Sequence, residues 1–98
     1  MNESRDLYVT LIFPDCCEDY PMPRPGDRLK ARKDRTNRYD DEAIAVYNRH
    51  DRRVGFIANS VRTVARGTHS SGYVYELIPE ETEITVLFVL RDAVIARI

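Results

Sequence analysis

Apolar and polar side chains alternate over several short segments of this chain, and a two-residue period is typical of β-strands. Residues 7–13 are rich in β-forming side chains and end at Pro14, which predicts a first strand. In Arg28–Lys33 the basic and apolar residues fall on opposite faces, so we expect a second strand with a basic outer surface. Further strands are predicted at residues 43–47, 54–57, 73–78 and 84–90.

One short helix is predicted between the fourth and fifth strands. Asn59 or Ser60 can cap its first turn, and Gly67 is placed to end it. Five or six closely spaced strands with one short helix favour an all-β fold, a small closed or nearly closed barrel of the OB or SH3 type. The apolar alternation at residues 92–98 either completes this barrel or pairs with another subunit. Gly55 in the fourth strand indicates a bulge or a close backbone approach.

The strand pattern also predicts which apolar side chains share the core. Truncating Phe88 to alanine is then expected to cost about 3–5 kcal/mol. The residues expected to face this common core are Ile44, Val46, Val54, Ile57, Val86 and Phe88.

The length of 98 residues predicts a single domain spanning residues 1–98, because so short a chain cannot divide its core. No apolar run is long enough to span a membrane, and the N-terminus lacks the pattern of a secretory signal, so we expect a soluble cytoplasmic protein. Cys16 and Cys17 are adjacent, where a disulfide would strain the peptide between them. Reduced thiols are therefore expected.

Charge is distributed unevenly along the chain although the net charge is only −1. Residues 24–66 carry twelve basic against six acidic side chains, whereas both flanking segments, 1–23 and 67–98, are acidic. A basic middle can attract phosphates locally, and it can equally be a well-solvated mixed surface.

The sequence predicts no catalytic residues, no metal site and no cofactor, and hence a protein that is not an enzyme. Cys16, Cys17, His50 and His69 do not have the spacing of metal ligands. The chain also lacks a glycine-rich phosphate loop and a nucleophile elbow.

Residues 37–47 read Asn-Arg-Tyr-Asp-Asp-Glu-Ala-Ile-Ala-Val-Tyr, and residues 53–57 read Arg-Val-Gly-Phe-Ile. From about residue 29 to residue 65 the chain resembles the HIRAN family in these motifs and in their order. The resemblance implies an OB-like barrel, similar to the module of Snf-type DNA translocases that captures the 3′-hydroxyl end of single-stranded DNA. It implies that Tyr39 stacks on the terminal base and that Asp40 accepts a hydrogen bond from the terminal hydroxyl. The expected nucleic-acid-binding residues are Arg28, Lys30, Arg32, Asn37, Arg38, Tyr39, Asp40 and Phe56.

Two positions differ from the pattern of the members that bind DNA ends. Phe56 stands where a basic or histidine side chain is expected, and Asn59 stands where a lysine is expected. The phosphate clamp is therefore thinner than in those members. The basic residues of the second strand are expected to supply phosphate contacts instead.

Two functions follow as hypotheses. The first is a module that binds single-stranded DNA or DNA ends, in DNA repair or processing, alone or beside a helicase or nuclease. The second is a protein-interaction or homo-oligomerisation module that uses its C-terminal strand and has lost DNA-end binding. The motif also has two interpretations. Tyr39 and Asp40 form either a ligand pocket or a turn in which Asp40 caps its own backbone and Tyr39 covers the barrel end. Tyr73 and Tyr75, two apart on a predicted strand, form either a stacking platform or a wall over the core.

Overall fold

The computed structural model describes residues 7–14, 22–91 and 93–98. Cys16 and Cys17 lie outside the described residues, so the expectation of reduced thiols stays a prediction. Six strands and one short helix follow in chain order: β1 Tyr8–Ile12, β2 Arg28–Lys33, β3 Ile44–Tyr47, β4 Arg53–Ile57, α1 Ser71–Tyr75, β5 Glu81–Val89 and β6 Val94–Arg97.

The six strands close into a barrel in the order β1, β4, β3, β2, β5, β6 and back to β1, and every neighbouring pair is antiparallel. This confirms the predicted mainly β barrel with one short helix, and it is consistent with an OB-like fold. The C-terminal strand β6 pairs with β1 on one side and β5 on the other. The chain therefore uses this strand to complete its own barrel, and both of its edges are occupied.

The core fills the inside of the barrel because alternate residues of each strand point inward. In β2, Leu29 and Ala31 are buried while Arg28 and Lys30 are exposed, which confirms the predicted basic outer face. Of the six side chains predicted to share the core, four are buried and Val54 packs against the cluster while partly exposed. The buried four are Ile44, Val46, Ile57 and Val86.

Phe88 was wrongly predicted to be a core residue. Its side chain is 59% exposed. The pairing of β5 with β6 shifts register between Val86 and Phe88, so that Val86 lies opposite Ala96 and Phe88 lies opposite Ile95. One extra residue in β5 reverses the alternation and turns Phe88 to the outside.

The short helix lies later in the chain than predicted. The segment from Ser60 to Thr68 forms hydrogen-bonded turns, and α1 occupies Ser71–Tyr75, where the alternation had predicted a strand. Val61 is almost fully exposed, so a helix at residues 59–67 would have had little apolar surface to bury. The hydroxyl of Ser70 caps α1 by accepting a hydrogen bond from the backbone N–H of Tyr73. The described residues contain no helix that is long and apolar enough to cross a membrane.

Candidate nucleic-acid interface

The loop between β2 and β3 is held in shape by its own short polar side chains. Asn37 Oδ1 accepts hydrogen bonds from the backbone N–H groups of Tyr39, at 2.8 Å, and Asp40, at 3.0 Å. Asp40 Oδ1 accepts one from the N–H of Glu42 at 2.9 Å. Such bonds from Asn and Asp to nearby backbone groups stabilise turns. The conformation of the loop that carries the HIRAN-like motif is therefore stabilised by local hydrogen bonds.

Tyr39 projects into solvent from this loop. Its side chain is 97% exposed, so it does not cover the end of the barrel as the turn hypothesis expected. Arg38 beside it is also exposed and makes no ion pair with the described residues. We name Asn37, Arg38, Tyr39 and Asp40 the loop site. An exposed aromatic ring whose neighbour in the chain is a cation is suited to stack on a base and contact its phosphate.

Asp40 is oriented by the rest of the barrel as well as by its own loop. The side-chain amide of Asn59 donates to both carboxylate oxygens, at 3.2 Å to Oδ1 and 3.0 Å to Oδ2. Asn59 Oδ1 in turn accepts from the N–H of Gly72 in α1 at 2.8 Å. Because Oδ2 of Asp40 receives only this one hydrogen bond from the described part of the chain, it keeps capacity to accept another. The carboxylate is thus held in place and still able to accept a ligand hydroxyl.

The three basic side chains on the outer face of β2 differ in what surrounds them. Arg32 Nε donates to Glu81 at 3.0 Å and Arg32 Nη2 to Asp51 at 3.1 Å, while its guanidinium lies 4.3 Å from the ring centre of Tyr47. These carboxylates, Glu81 first, raise the pKa of Arg32. Lys30 reaches Glu81 only at 4.0 Å, and Arg28 makes no ion pair with any described residue. The charge of Arg32 is therefore already compensated, whereas Arg28 has no carboxylate partner among the described residues.

A second compensated pair lies beside the start of β5. Arg35 donates to the carboxylate of Glu80, and this hydrogen bond lowers the pKa of Glu80 and raises that of Arg35. Both side chains are well exposed, so solvent and salt screen the pair. The basic character of residues 24–66 is thus partly neutralised by acidic residues that are distant in sequence.

The aromatic candidates outside the loop lie elsewhere on the barrel. Phe56 is on the outer face of β4, 37% exposed, in register with Ala45 of β3 and Ile12 of β1. Tyr73 and Tyr75 do not share a strand face, since both belong to α1. Tyr73 stacks on His69 with ring centres 4.0 Å apart, and the Tyr75 ring receives the Lys33 ammonium at 4.7 Å. Tyr75 packs against the core cluster while partly buried, so one ring of the pair covers the core as one alternative expected. The shared strand face expected for a stacking platform is not formed.

The predicted site residues therefore do not form one compact pocket. The loop site follows the end of β2, whereas Arg28 begins that strand. Five residue steps separate Arg28 from Lys33, which is about 16 Å of extended chain. Residue spacing could predict the turn of the loop site because the hydrogen bonds that form this turn join residues two or three apart. The contact from Asn59 to Asp40 spans 19 residues, and no local pattern indicates it.

Replacing Asn59 with alanine is expected to lower the free energy of unfolding by about 1–3 kcal/mol. The change removes the donor to Asp40 and the acceptor for the N–H of Gly72, leaving two partly buried polar groups without this partner. Urea denaturation followed by circular dichroism measures the loss. Arg62→Ala, at an exposed turn position close in sequence, is the control and should change little. Equal stability of Asn59→Ala and wild type would contradict the assigned role.

Within the described part of the chain, no group of three or more histidine, cysteine, aspartate or glutamate side chains could hold a metal ion. What the described residues present is a closed barrel with an ordered polar loop, an exposed aromatic ring and cations without a carboxylate partner. These features define a small β-barrel binding module.

A family model described as the HIRAN domain matches residues 16–83, more than two thirds of the chain, and the chain belongs to the HIRAN family. Membership of this family suggests a nucleic-acid-binding module. Searches of curated proteins and of solved structures found no match.

Proposed function

We propose that this chain binds nucleic acid by capturing the 3′-hydroxyl end of single-stranded DNA at the loop site. The observation that carries the proposal is the exposed ring of Tyr39 beside the Asp40 carboxylate, which Asn59 holds in a fixed orientation. Membership of the HIRAN family supports the same function. In this function Tyr39 stacks on the terminal base, and Asp40 accepts a hydrogen bond from the terminal hydroxyl.

The two side chains select for an end because their chemistry is complementary. Any base offers a π-face to Tyr39, which makes the stacking tolerant of sequence. The carboxylate of Asp40 repels a phosphate and accepts a hydrogen bond from a hydroxyl, so it disfavours the interior of a strand, where a phosphate follows each sugar. Asn37 shapes the loop, and Arg38 contacts the last phosphate.

The proposed binding is weak. Phe56, at a position where the family pattern has a basic or histidine side chain, lies on the outer face of β4 and offers a ring but no charge. The side-chain amide of Asn59 donates its hydrogen bond to Asp40, so it does not supply the phosphate contact expected of a lysine at this position. With these two charges missing, we expect affinity in the micromolar range near physiological salt.

We also propose that the chain acts as one domain over residues 1–98, in the cytoplasm, alone or beside a helicase or nuclease in DNA repair or processing. Its role there is binding and not catalysis, as family membership supports. The partner brings the chemistry, and this chain positions the end of the strand.

Replacing Tyr39 with alanine is expected to weaken binding of a single-stranded oligonucleotide by about 1–3 kcal/mol, because a stacking surface is removed. The slope of log affinity against log salt should hardly change, since no cation is removed. Fluorescence anisotropy at two salt concentrations measures both quantities. Tyr73→Ala is the matched control, because it removes a half-exposed tyrosine that stacks on His69 outside the loop site.

End selectivity is tested in the same assay with free and phosphate-blocked 3′ ends. Asp40→Asn should chiefly erase the preference for the free hydroxyl, because the amide no longer repels a terminal phosphate. If the wild-type protein binds neither single-stranded DNA, RNA nor a recessed duplex end in low salt, the proposed function fails. The protein-interaction hypothesis is then the one to test, on a surface other than the edges of β6, which are both paired.

A further inference from the structure

A cleft of about 210 Å³ opens at the start of β2, at the opposite end of that strand from the loop site. Its walls hold three cations against one carboxylate, so its local charge is positive although the chain as a whole carries −1. We name it the β2 cleft. The lining residues are Arg28, Leu29, Lys30, Asn48, Arg49 and Glu83.

The cations of the β2 cleft are less compensated than those elsewhere on the strand. Neither Arg28 nor Arg49 forms an ion pair within the described ranges, and Lys30 meets Glu81 only at 4.0 Å. Arg32, two residues further along, is held by two carboxylates. A guanidinium without a protein counter-ion can bind a phosphate without first breaking a salt bridge, and its planar donors match phosphate oxygens.

Arg49 lies in a turn whose backbone is held by hydrogen bonds. Arg49 lies in the connection between β3 and β4, where Asn48 Oδ1 accepts from the N–H groups of His50, at 2.9 Å, and Arg52, at 3.0 Å. The N–H of Asn48 donates to the carbonyl of Arg52 at 2.9 Å, which closes the turn. Arg28 is fixed by strand pairing, since it lies opposite Thr85. Both arginines therefore lie on backbone that is held by hydrogen bonds.

The outer face of β2 connects the two sites. About 16 Å of strand separates Arg28 from Lys33, and residues 34–36 then lead to the loop site. A stacked single strand advances about 3.4 Å per nucleotide, so about five nucleotides span this distance. Between the ends, the charge of Arg32 is offset by the two carboxylates of Glu81 and Asp51. The face thus has a basic contact at each end and no net positive charge around Arg32.

We infer that the β2 cleft is a second contact site, which takes an internal phosphodiester of a single strand whose 3′ end lies at the loop site. The inference rests on the proposed function and gives it a length requirement. Oligonucleotides too short to reach Arg28 and Arg49 use the loop site alone, and longer ones use both. Glu83, the acid among the residues that line the cleft, opposes the phosphate and lowers the affinity.

The test compares 3-nucleotide and 10-nucleotide single strands with free 3′ ends, lengths set by the roughly five-nucleotide span. The double variant Arg28→Ala/Arg49→Ala should bind the long strand more weakly, with a salt slope smaller in magnitude by about 0.7 for each phosphate that is no longer neutralised. Its affinity for the short strand should match that of wild type. Arg62→Ala/Arg66→Ala is the control, because it removes the same charge from exposed turns that do not line the cleft. An equal decrease in this control would overturn the inference.

Glu83→Gln tests the same site by a gain in affinity, which a folding defect cannot produce. It removes the negative charge and keeps the shape, so the long strand should bind more tightly and the short strand as before. Unchanged binding of the long strand in both Glu83→Gln and the arginine double variant overturns the β2 cleft. The two proposals fail separately: if only Tyr39→Ala lacks an effect, the loop site is wrong, and the cleft remains a phosphate contact without a 3′ end placed at the loop site.

Discussion

Truncating Ile84 to alanine is expected to destabilise the protein by about 2–5 kcal/mol. Ile84 is fully buried at the inner face of β5, in register with Leu29 of β2, and belongs to the core cluster that fills the barrel. The destabilisation is the sum of two free energies: the lost transfer free energy of the removed carbon groups and the cost of the cavity, which a closed barrel cannot collapse to fill. For a domain of this size, such a change is a large part of the total stability.

Urea denaturation measures the effect, and Phe88→Ala on the same strand is the control. Phe88 is the larger side chain, yet the bulge places it outside the barrel, so its truncation should cost much less than that of Ile84. If Phe88→Ala were as destabilising as Ile84→Ala, the bulge and the outward orientation of Phe88 would be contradicted.

The amino-acid sequence predicts the strands of this barrel well where a single period runs without interruption. β2 was predicted with its bounds, Arg28–Lys33, because charged and apolar residues alternate without a break. β5 shows the limit of the same reasoning. An uncharged run from Ile84 onward indicates a strand, but a bulge is a feature of the pairing with β6, and the run alone contains no sign of it.

The helix shows how packing overrides a local pattern. Residues 59–67 have helical spacing and a capping residue, but Asn59 binds Asp40, and the backbone N–H of Ala65 donates to the hydroxyl of Thr10 at 3.0 Å. These contacts hold the segment in turns. Ser71–Tyr75 becomes helical although Tyr73 and Tyr75 favour strands, because Ser70 caps it and Val74 enters the core.

The same distinction applies to the candidate site. The loop from Asn37 to Asp40 is stabilised by hydrogen bonds between residues two or three apart, so a short stretch of sequence is enough to predict it. The clamp from Asn59 and the compensation of Arg32 by Glu81 join residues far apart in sequence. The sequence alone therefore treats Arg28 and Arg32 as equivalent basic residues, and only the pairing of β2 with β5 separates them.

Gly55 is the backbone position where substitution is expected to be least tolerated. A Cβ atom there would overlap the backbone carbonyl oxygen of Ile12 and lie 2.8 Å from a ring carbon of Phe13. The pairing of β3 with β4 also skips Val54 at this point, so the predicted bulge and the predicted close approach both occur. The glycine lets β4 pass close to the end of β1 and close the barrel.

Gly55→Ala is accordingly expected to lower the free energy of unfolding by about 3 kcal/mol, at the upper end for overpacking, because the obstacle is backbone that cannot rotate away. Gly72→Ala in α1 is the control. A Cβ atom there meets the end of the flexible Glu42 side chain, which can move, and lies 3.2 Å from Asn59 Oδ1, which needs only a small shift. Alanine also favours a helix by about 1 kcal/mol over glycine. Urea denaturation of both variants decides the matter. A Gly55→Ala protein as stable as wild type would show that β1 and β4 do not approach as closely as the barrel requires.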